Sequence, residues 1–267
     1  MDNNFLIIGN DEKMKSCKKR LNELKINADC LENNTPLTVI GKYANIILPL
    51  PTIINGKIAG TEISLNELNS FLNEKQIVFC GNTKPDNFSC RAFSYYFNEK
   101  FLSQNSRLTA QGTLRIILEN IKTDLSELSA AVIGYGRCGR EICKLLKNTG
   151  IDVTSISRRT ETLTSAEKNG FTTHRCAEIN AVLKNYDIIV NTVPCNIIDD
   201  SALEQLRSNT LYIEVASKPY GIDNTKINNF NFKYVPAPGL PGRFTPVSAG
   251  RNIADTVAGI IKEGINR

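Results

Sequence analysis

Short apolar runs alternate along this chain with longer stretches whose apolar residues recur at helical spacing. The first run, residues 5–8 (Phe5-Leu6-Ile7-Ile8), ends at Gly9-Asn10-Asp11 and predicts a buried strand. An amphipathic helix over 12–25 follows, with Met14, Cys17, Leu21 and Leu24 on one face. Residues 44–48 predict a strand, stopped by Pro49-Leu50-Pro51 because proline cannot donate to a central ladder. Residues 65–72 predict a helix and 77–80 a strand closed by Gly81. Thr109 introduces a long helical pattern through Leu114, Ile117, Leu118 and Ile121, with the threonine as its N-cap. Strands at 131–133, 152–157, 171–173, 187–190, 211–215 and 232–235 come next, and a helix over 247–261 closes the pattern. Strands alternating with helices predict parallel sheets covered on both faces. The expected fold is α/β in two domains. Residues 1–125 form a smaller, flavodoxin-like amino-terminal α/β domain. Residues 126–245 form a doubly wound Rossmann domain, and the helix in 246–267 docks at the domain junction.

Where the pattern passes from strand to helix, the chain reads Gly134-Tyr135-Gly136-Arg137-Cys138-Gly139. In this context the three glycines serve the tight turn, the close approach of a pyrophosphate and the packing of helix on strand. The new helix offers unpaired N–H groups and the positive end of its dipole to phosphate. The neighbouring strand ends in Ser157-Arg158-Arg159, where a site for plain NAD would place a carboxylate to accept from the ribose 2′-hydroxyl. A guanidinium fork and a hydroxyl suit a 2′-phosphate, so NADP(H) is the expected cofactor. The bland alternative is a pair of solvated surface arginines. Later strand ends carry Asn191-Thr192-Val193-Pro194 and Ala216-Ser217, expected to line the nicotinamide side of the crevice.

Composition narrows the class without changing it. The 267 residues are 41% hydrophobic and 22% charged, as expected of a soluble globular protein. No apolar run approaches the length of about 18 residues that spanning a membrane needs. The amino terminus, Met1-Asp2-Asn3-Asn4, lacks the basic region of a signal peptide, so a cytoplasmic protein is expected. The formal charge of +5 is spread along the chain, which favours small anionic ligands over nucleic acid. Eight cysteines are scattered with no Cys-x-x-Cys spacing, and there is one histidine, His174; no metal site and no disulfide framework are expected.

The carboxyl half resembles the A-type subunit of bacterial dipicolinate synthase. The resemblance rests on residues 132–139, Asn191-Thr192-Val193-Pro194, residues 215–223 (Val-Ala-Ser-Lys-Pro-Tyr-Gly-Ile-Asp) and residues 237–242 (Ala-Pro-Gly-Leu-Pro-Gly), then Thr245-Pro246 and Ala249-Gly250. Looser matches lie at Gly9-Asn10-Asp11, at residues 48–51 and at Thr109-Ala110-Gln111-Gly112. Asn10 and Glu12-Lys13 stand where the family tends to have a second glycine and an arginine, and Leu108 and Gln111 replace its usual Pro and Glu. The resemblance implies an enzyme of sporulation acting with a second, flavoprotein-like subunit. It would oxidise dihydrodipicolinate, or its 4-hydroxy-tetrahydro hydrate, to dipicolinate, and its amino-terminal domain would serve substrate or partner.

A small dicarboxylate substrate calls for cations and helix N-termini. Lys218, Arg243 and Ser248 are the candidate catalytic residues. Thr109, Lys218, Gly239, Leu240, Pro241, Gly242, Arg243, Ala249 and Gly250 are the candidate substrate contacts, with Arg107 and Arg251 behind them. Lys218 would act as general base if buried near Arg243; Tyr220 and Glu214 are outside choices, and neither His174 nor Cys195 is expected to act. Homo-oligomerisation stays open. Two other readings remain: a shikimate-dehydrogenase-like NADP oxidoreductase, and a non-catalytic NADPH-sensing or partner-binding module.

Overall fold

The computed structural model describes residues 4–264 and divides the chain into two compact units, Met1–Asn105 with Thr245–Arg267, and Ser106–Phe244. The first unit is built on a parallel sheet. Its strands are β1 (Asn4–Ile7), β2 (Asn27–Cys30), β3 (Asn45–Ile47), β6 (Ile77–Cys80) and β7 (Arg91–Ser94), in the order β2-β1-β3-β6-β7. Between β3 and β6, β4 (Ile53–Ile54) and β5 (Lys57–Ile58) pair as a small antiparallel hairpin. Counting only the five sheet strands, this is the flavodoxin-like order 2-1-3-4-5. Helix α1 (Glu12–Glu23) starts where the Asp11 carboxylate accepts from the Met14 amide at 2.8 Å. Helix α2 (Leu65–Phe71) starts in the same way, with Ser64 accepting from Glu67. The apolar strand runs predicted here are all strands. Neither β2 nor β7 shows in the pattern, because half-exposed edge strands such as Asn-Ala-Asp-Cys carry no apolar run.

Helix α3 (Glu99–Asn120) contains the division between the units, which falls after Asn105 rather than at the expected residue 125. Thr109 is accordingly no N-cap. It is buried within the helix, and its carbonyl accepts from the Thr113 hydroxyl at 3.0 Å. The pattern showed only the more apolar second half of this helix, since its polar first half (Glu99 to Arg107) has no apolar stripe to read.

The second unit holds six parallel strands: β8 (Ser129–Ile133), β9 (Asp152–Ser157), β10 (Thr172–Arg175), β11 (Ile188–Asn191), β12 (Leu211–Glu214) and β13 (Lys233–Pro236). Their order, β10-β9-β8-β11-β12-β13, is the 3-2-1-4-5-6 of a Rossmann sheet. Helices α4 (Arg137–Asn148), α5 (Thr160–Lys168), α6 (Ile179–Val182), α7 (Asp200–Glu204) and α8 (Leu240–Phe244) follow in sequence. One apolar layer gathers Ile142, Cys143 and Leu146 of α4 with Ile116 and Ile117 of α3 over Ala130, Val132 and Val190. The opposite face buries Ile133, Ile156, Ile189 and Tyr212 with Leu183 and Leu203. Helix α8 occupies a stretch for which the pattern predicts no element, and Leu240 packs so closely on Gly112 that a Cβ there would lie 2.8 Å from the leucine Cβ.

The last helix, α9 (Pro246–Lys262), belongs to the first unit and packs along α1. Ile253, Ala254 and Val257 are buried against Met14, Cys17 and Leu21. Gly250 makes the close approach possible, because a Cβ there would fall 2.1 Å from the Lys13 carbonyl oxygen.

Candidate dinucleotide-binding site

The glycine turn lies between β8 and α4, and each of its glycines is accounted for differently. Gly134 has φ +95°, which L side chains rarely adopt, and a Cβ on it would meet Thr192 Oγ1 at 2.5 Å. Gly139 faces back on the turn, and its Cβ would sit 1.9 Å from the Gly134 carbonyl oxygen. Gly136 is the N-cap of α4; it makes no side-chain cap, and a Cβ on it would meet nothing within 4 Å. The first helical amides are thus left without a capping side chain beside open space, the arrangement a pyrophosphate requires. The residues present fit a dinucleotide.

Other residues of the turn are structural. Tyr135 is buried with its ring 6.0 Å from Phe171, so only its backbone belongs to the turn. Arg137 is exposed at the first position of α4, and half-buried Cys138 points its thiol toward the Ser106 hydroxyl at 3.6 Å.

At the end of β9, Ser157 is buried and its hydroxyl shares a hydrogen bond with Thr162. Arg158 and Arg159 are exposed, and neither guanidinium forms an ion pair among the described residues. Arg159 is the N-cap of α5 with no side-chain cap of its own. No carboxylate stands at the strand end, as the sequence indicated.

Past β11 and β12 the chain is tied into a buried network. Glu214 is 1% exposed and accepts at Oε1 from Asn191 Nδ2 (2.7 Å) and the Ala216 amide (3.2 Å), and at Oε2 from the Gly221 amide (2.9 Å) and, more weakly, the Tyr212 hydroxyl (3.5 Å). Asn191, fully buried, also brackets Val193, donating to its carbonyl at 2.9 Å and accepting from its amide at 3.1 Å. Asn191, expected to line the cofactor, is instead fully buried, and its side chain holds the turn that follows β11. Burial likewise removes Glu214 from reach of any substrate proton. Thr192 and Val193 are half-buried behind Gly134, Pro194 and Ser217 are exposed, and Ala216 is buried.

Of the predicted substrate residues, the second unit holds Thr109, Lys218, Gly239, Leu240, Pro241, Gly242 and Arg243, and the first holds Ser248, Ala249 and Gly250. Lys218 is exposed, so the burial expected to tune it as a base is absent. Arg243 is exposed on α8, its guanidinium 4.7 Å from the Phe244 ring centroid. Gly239 is exposed with φ +64°, Pro241 and Gly242 are half-buried, and Leu240 is buried in the core. Ser248 is half-buried in the first turn of α9. Ala249 and Gly250 are buried; the Ala249 amide is taken by the Thr245 carbonyl at 2.9 Å, and Gly250 serves helix packing. These two explain their motif by packing rather than by ligand contact. Arg107 and Arg251 are exposed, and His174 pairs with Glu178 at 2.8 Å on the edge strand β10. No group of three or more His, Cys, Asp or Glu side chains is placed to hold a metal ion, and no helix is long and apolar enough to cross a membrane, among the described residues.

Strand order, glycine turn and uncapped helix define a Rossmann domain of the dinucleotide-binding kind. Residues 100–219 match the family model described as D-isomer specific 2-hydroxyacid dehydrogenase, NAD binding domain. The more particular resemblance is to the A-type subunit of dipicolinate synthase. The chain is 28% identical over 159 residues to that protein from Bacillus subtilis (strain 168), an alignment spanning 60% of this chain and 54% of the relative, or about half its length. Crystal structures carry the likeness of fold further. The A chain of dipicolinate synthase from Bacillus subtilis superposes with a TM-score of 0.81 at 21% identity, covering 98% of this chain and 97% of that one. Its counterpart from Bacillus halodurans superposes at 0.84 and 20% identity, covering 98% of each.

Proposed function

We propose that this chain is the oxidoreductase subunit of a dipicolinate synthase, using NADP(H) and acting with a second, flavoprotein-like subunit. The substrate is dihydrodipicolinate, or 4-hydroxy-tetrahydrodipicolinate after loss of water, and the product is dipicolinate. The setting is the cytoplasm of a sporulating mother cell. The resemblance to dipicolinate synthase supports the substrate and partner. The observation that carries the cofactor choice is the end of β9, where two exposed guanidiniums stand without ion pairs among the described residues and no carboxylate ends the strand to compete for a ribose hydroxyl.

A bound oxidised nicotinamide would supply the acceptor for a hydride from a ring carbon, and loss of a ring proton to solvent would leave the pyridine aromatic. The chain's own groups bind and orient. The amides opening α4 take the pyrophosphate beside Gly136, while Arg158 and Arg159 take the 2′-phosphate. Lys218 and Arg243 are exposed cations suited to a dianion, and Thr192, Val193 and Ala216 keep the crevice side in shape.

Replacing Arg158 and Arg159 together by alanine tests the assignment. NADP(H) affinity is expected to fall by more than about tenfold while NAD(H) affinity changes little. Equal losses for both, read by calorimetric titration, would contradict the role given to these side chains. Mixing the protein with NADP⁺, fresh dihydrodipicolinate and the partner subunit tests the reaction. Growth of NADPH and dipicolinate absorbance is expected; absorbance that stays flat would leave a binding module without this activity.

A further inference from the structure

Among the described residues, Glu214 is the one buried carboxylate in the second unit that the reading above leaves without a task. It ends β12, and its side chain joins three separate stretches. One is the Asn191–Val193 turn, another is Ala216 just past its own strand, and the third is Gly221, whose carbonyl accepts from the Ile197 and Ile198 amides. The fit at Gly221 is close: a Cβ there would lie 2.4 Å from Asn191 Nδ2 and 2.8 Å from the Tyr212 hydroxyl. Every group facing the carboxylate is a donor: two backbone amides, one side-chain amide and one phenol. Three closer N–H donors hold the carboxylate, and a carboxyl proton would have only the Tyr212 hydroxyl oxygen, 3.5 Å away, to turn to, so the charged form is the one this network favours. Burial pushes its pKa above the ordinary carboxyl value, and the Asn191, Gly221, Ala216 and Tyr212 donors offset that only in part. No lysine or arginine is paired with it among the described residues, and Lys218, four positions along, is exposed to solvent.

A single negative charge is therefore fixed, in a poorly screened interior, under the carboxyl ends of β11 and β12. In a sheet of order 3-2-1-4-5-6 the adenosine half of a dinucleotide lies over the β8–β9–β10 side, and the nicotinamide half over β11 and β12. The nicotinamide ring is cationic when oxidised and neutral when reduced. We propose that Glu214 is a positioning residue whose charge, besides bracing the nicotinamide-side loops, biases the site toward the oxidised cofactor. This rests on the dinucleotide reading above. The bias favours loading of the oxidised cofactor and release of the reduced one, while the hydride transfer itself becomes less favourable on the protein by the same amount.

The test compares dissociation constants of the oxidised and reduced phosphorylated cofactors in the full chain. The wild-type protein is expected to bind the oxidised form more tightly. Glu214→Gln, which keeps the shape and removes the charge, should shrink that preference about fivefold, the scale of one buried charge acting across a partly screened interior. Glu214→Asp, which keeps the charge on a shorter arm, should weaken both forms while preserving their ratio. Equal weakening of both forms in Glu214→Gln would reduce the residue to a structural brace and overturn the proposal. A wild-type protein that binds both forms equally, or prefers the reduced one, would overturn it without any variant. If the wild type binds neither form, the dinucleotide reading itself fails, an outcome distinct from the others.

Discussion

Gly136 and Gly139 lie three residues apart in one turn, yet a methyl group added to each should do different things. At Gly139 it would enter the Gly134 carbonyl at 1.9 Å, a contact with backbone that no rotamer relieves. Gly139→Ala should therefore cost about 2 kcal/mol of stability as well as cofactor affinity. At Gly136 it meets nothing within 4 Å and φ is −79°, so Gly136→Ala should unfold at nearly the wild-type temperature. Its methyl nevertheless occupies the space a pyrophosphate needs, and affinity should fall by about tenfold. Thermal unfolding beside calorimetric titration separates the two. Loss of stability in both, with affinity unchanged in the second, would show that the open space at Gly136 is not where phosphate sits.

Between elements, the polar ends of strands carry information that their apolar middles do not. Asp187 precedes β11 and accepts at Oδ2 from both the amide (2.9 Å) and the hydroxyl (2.8 Å) of Ser129, the first residue of β8. Arg207, ahead of β12, adds an ion pair at 3.1 Å. Burial acts to raise this carboxyl, but the Ser129 donors and Arg207 outweigh it, and the pKa lies below its ordinary 3.8. A lowered folded-state pKa contributes stability that is present above the unfolded value and lost as pH falls through the folded one. Asp187→Asn should thus be less stable than wild type by about 1 kcal/mol at neutral pH. That gap should close as the pH drops below 3.8. Denaturant unfolding at both extremes checks it; a gap independent of pH would show that charge is not what ties these strands together.

At the scale of the whole molecule, a helix more than a hundred residues away in sequence completes the first unit. Ile253 and Val257 of α9 are buried against Met14, Cys17 and Leu21 of α1, and burying an aliphatic side chain of this size contributes about 1.5–3 kcal/mol. Arg20 and Asp255 add a half-exposed ion pair at 2.7 Å, a smaller contribution because solvent screens it. One consequence can be read in the thiols. Cys17 lies in that helix packing and Cys143 on the buried face of α4; burial pushes the first well up and the second to about 12. Cys195 is exposed. Brief alkylation of the native protein followed by peptide mass analysis should label Cys195 and spare Cys17 and Cys143 until denaturant is added. Early labelling of Cys17 would mean that α9 does not stay on α1.

The sequence alone determined whatever depends on local order. Apolar runs gave the buried central strands, the glycine spacing after β8 gave the tight turn into α4, and Ser157-Arg158-Arg159 gave the polar end of β9, because each is a signal carried by neighbouring residues. Tertiary structure decided what depends on residues distant in sequence. It placed α9 in the first unit, drew Thr109 into the middle of a helix, and turned Gly250 from a supposed ligand contact into the gap that admits Lys13. It also buried Asn191 and Glu214 together. A hydrophobic pattern says that a face will be covered, but the partner that covers it, and the donors that meet a buried charge, are fixed only when the chain closes on itself.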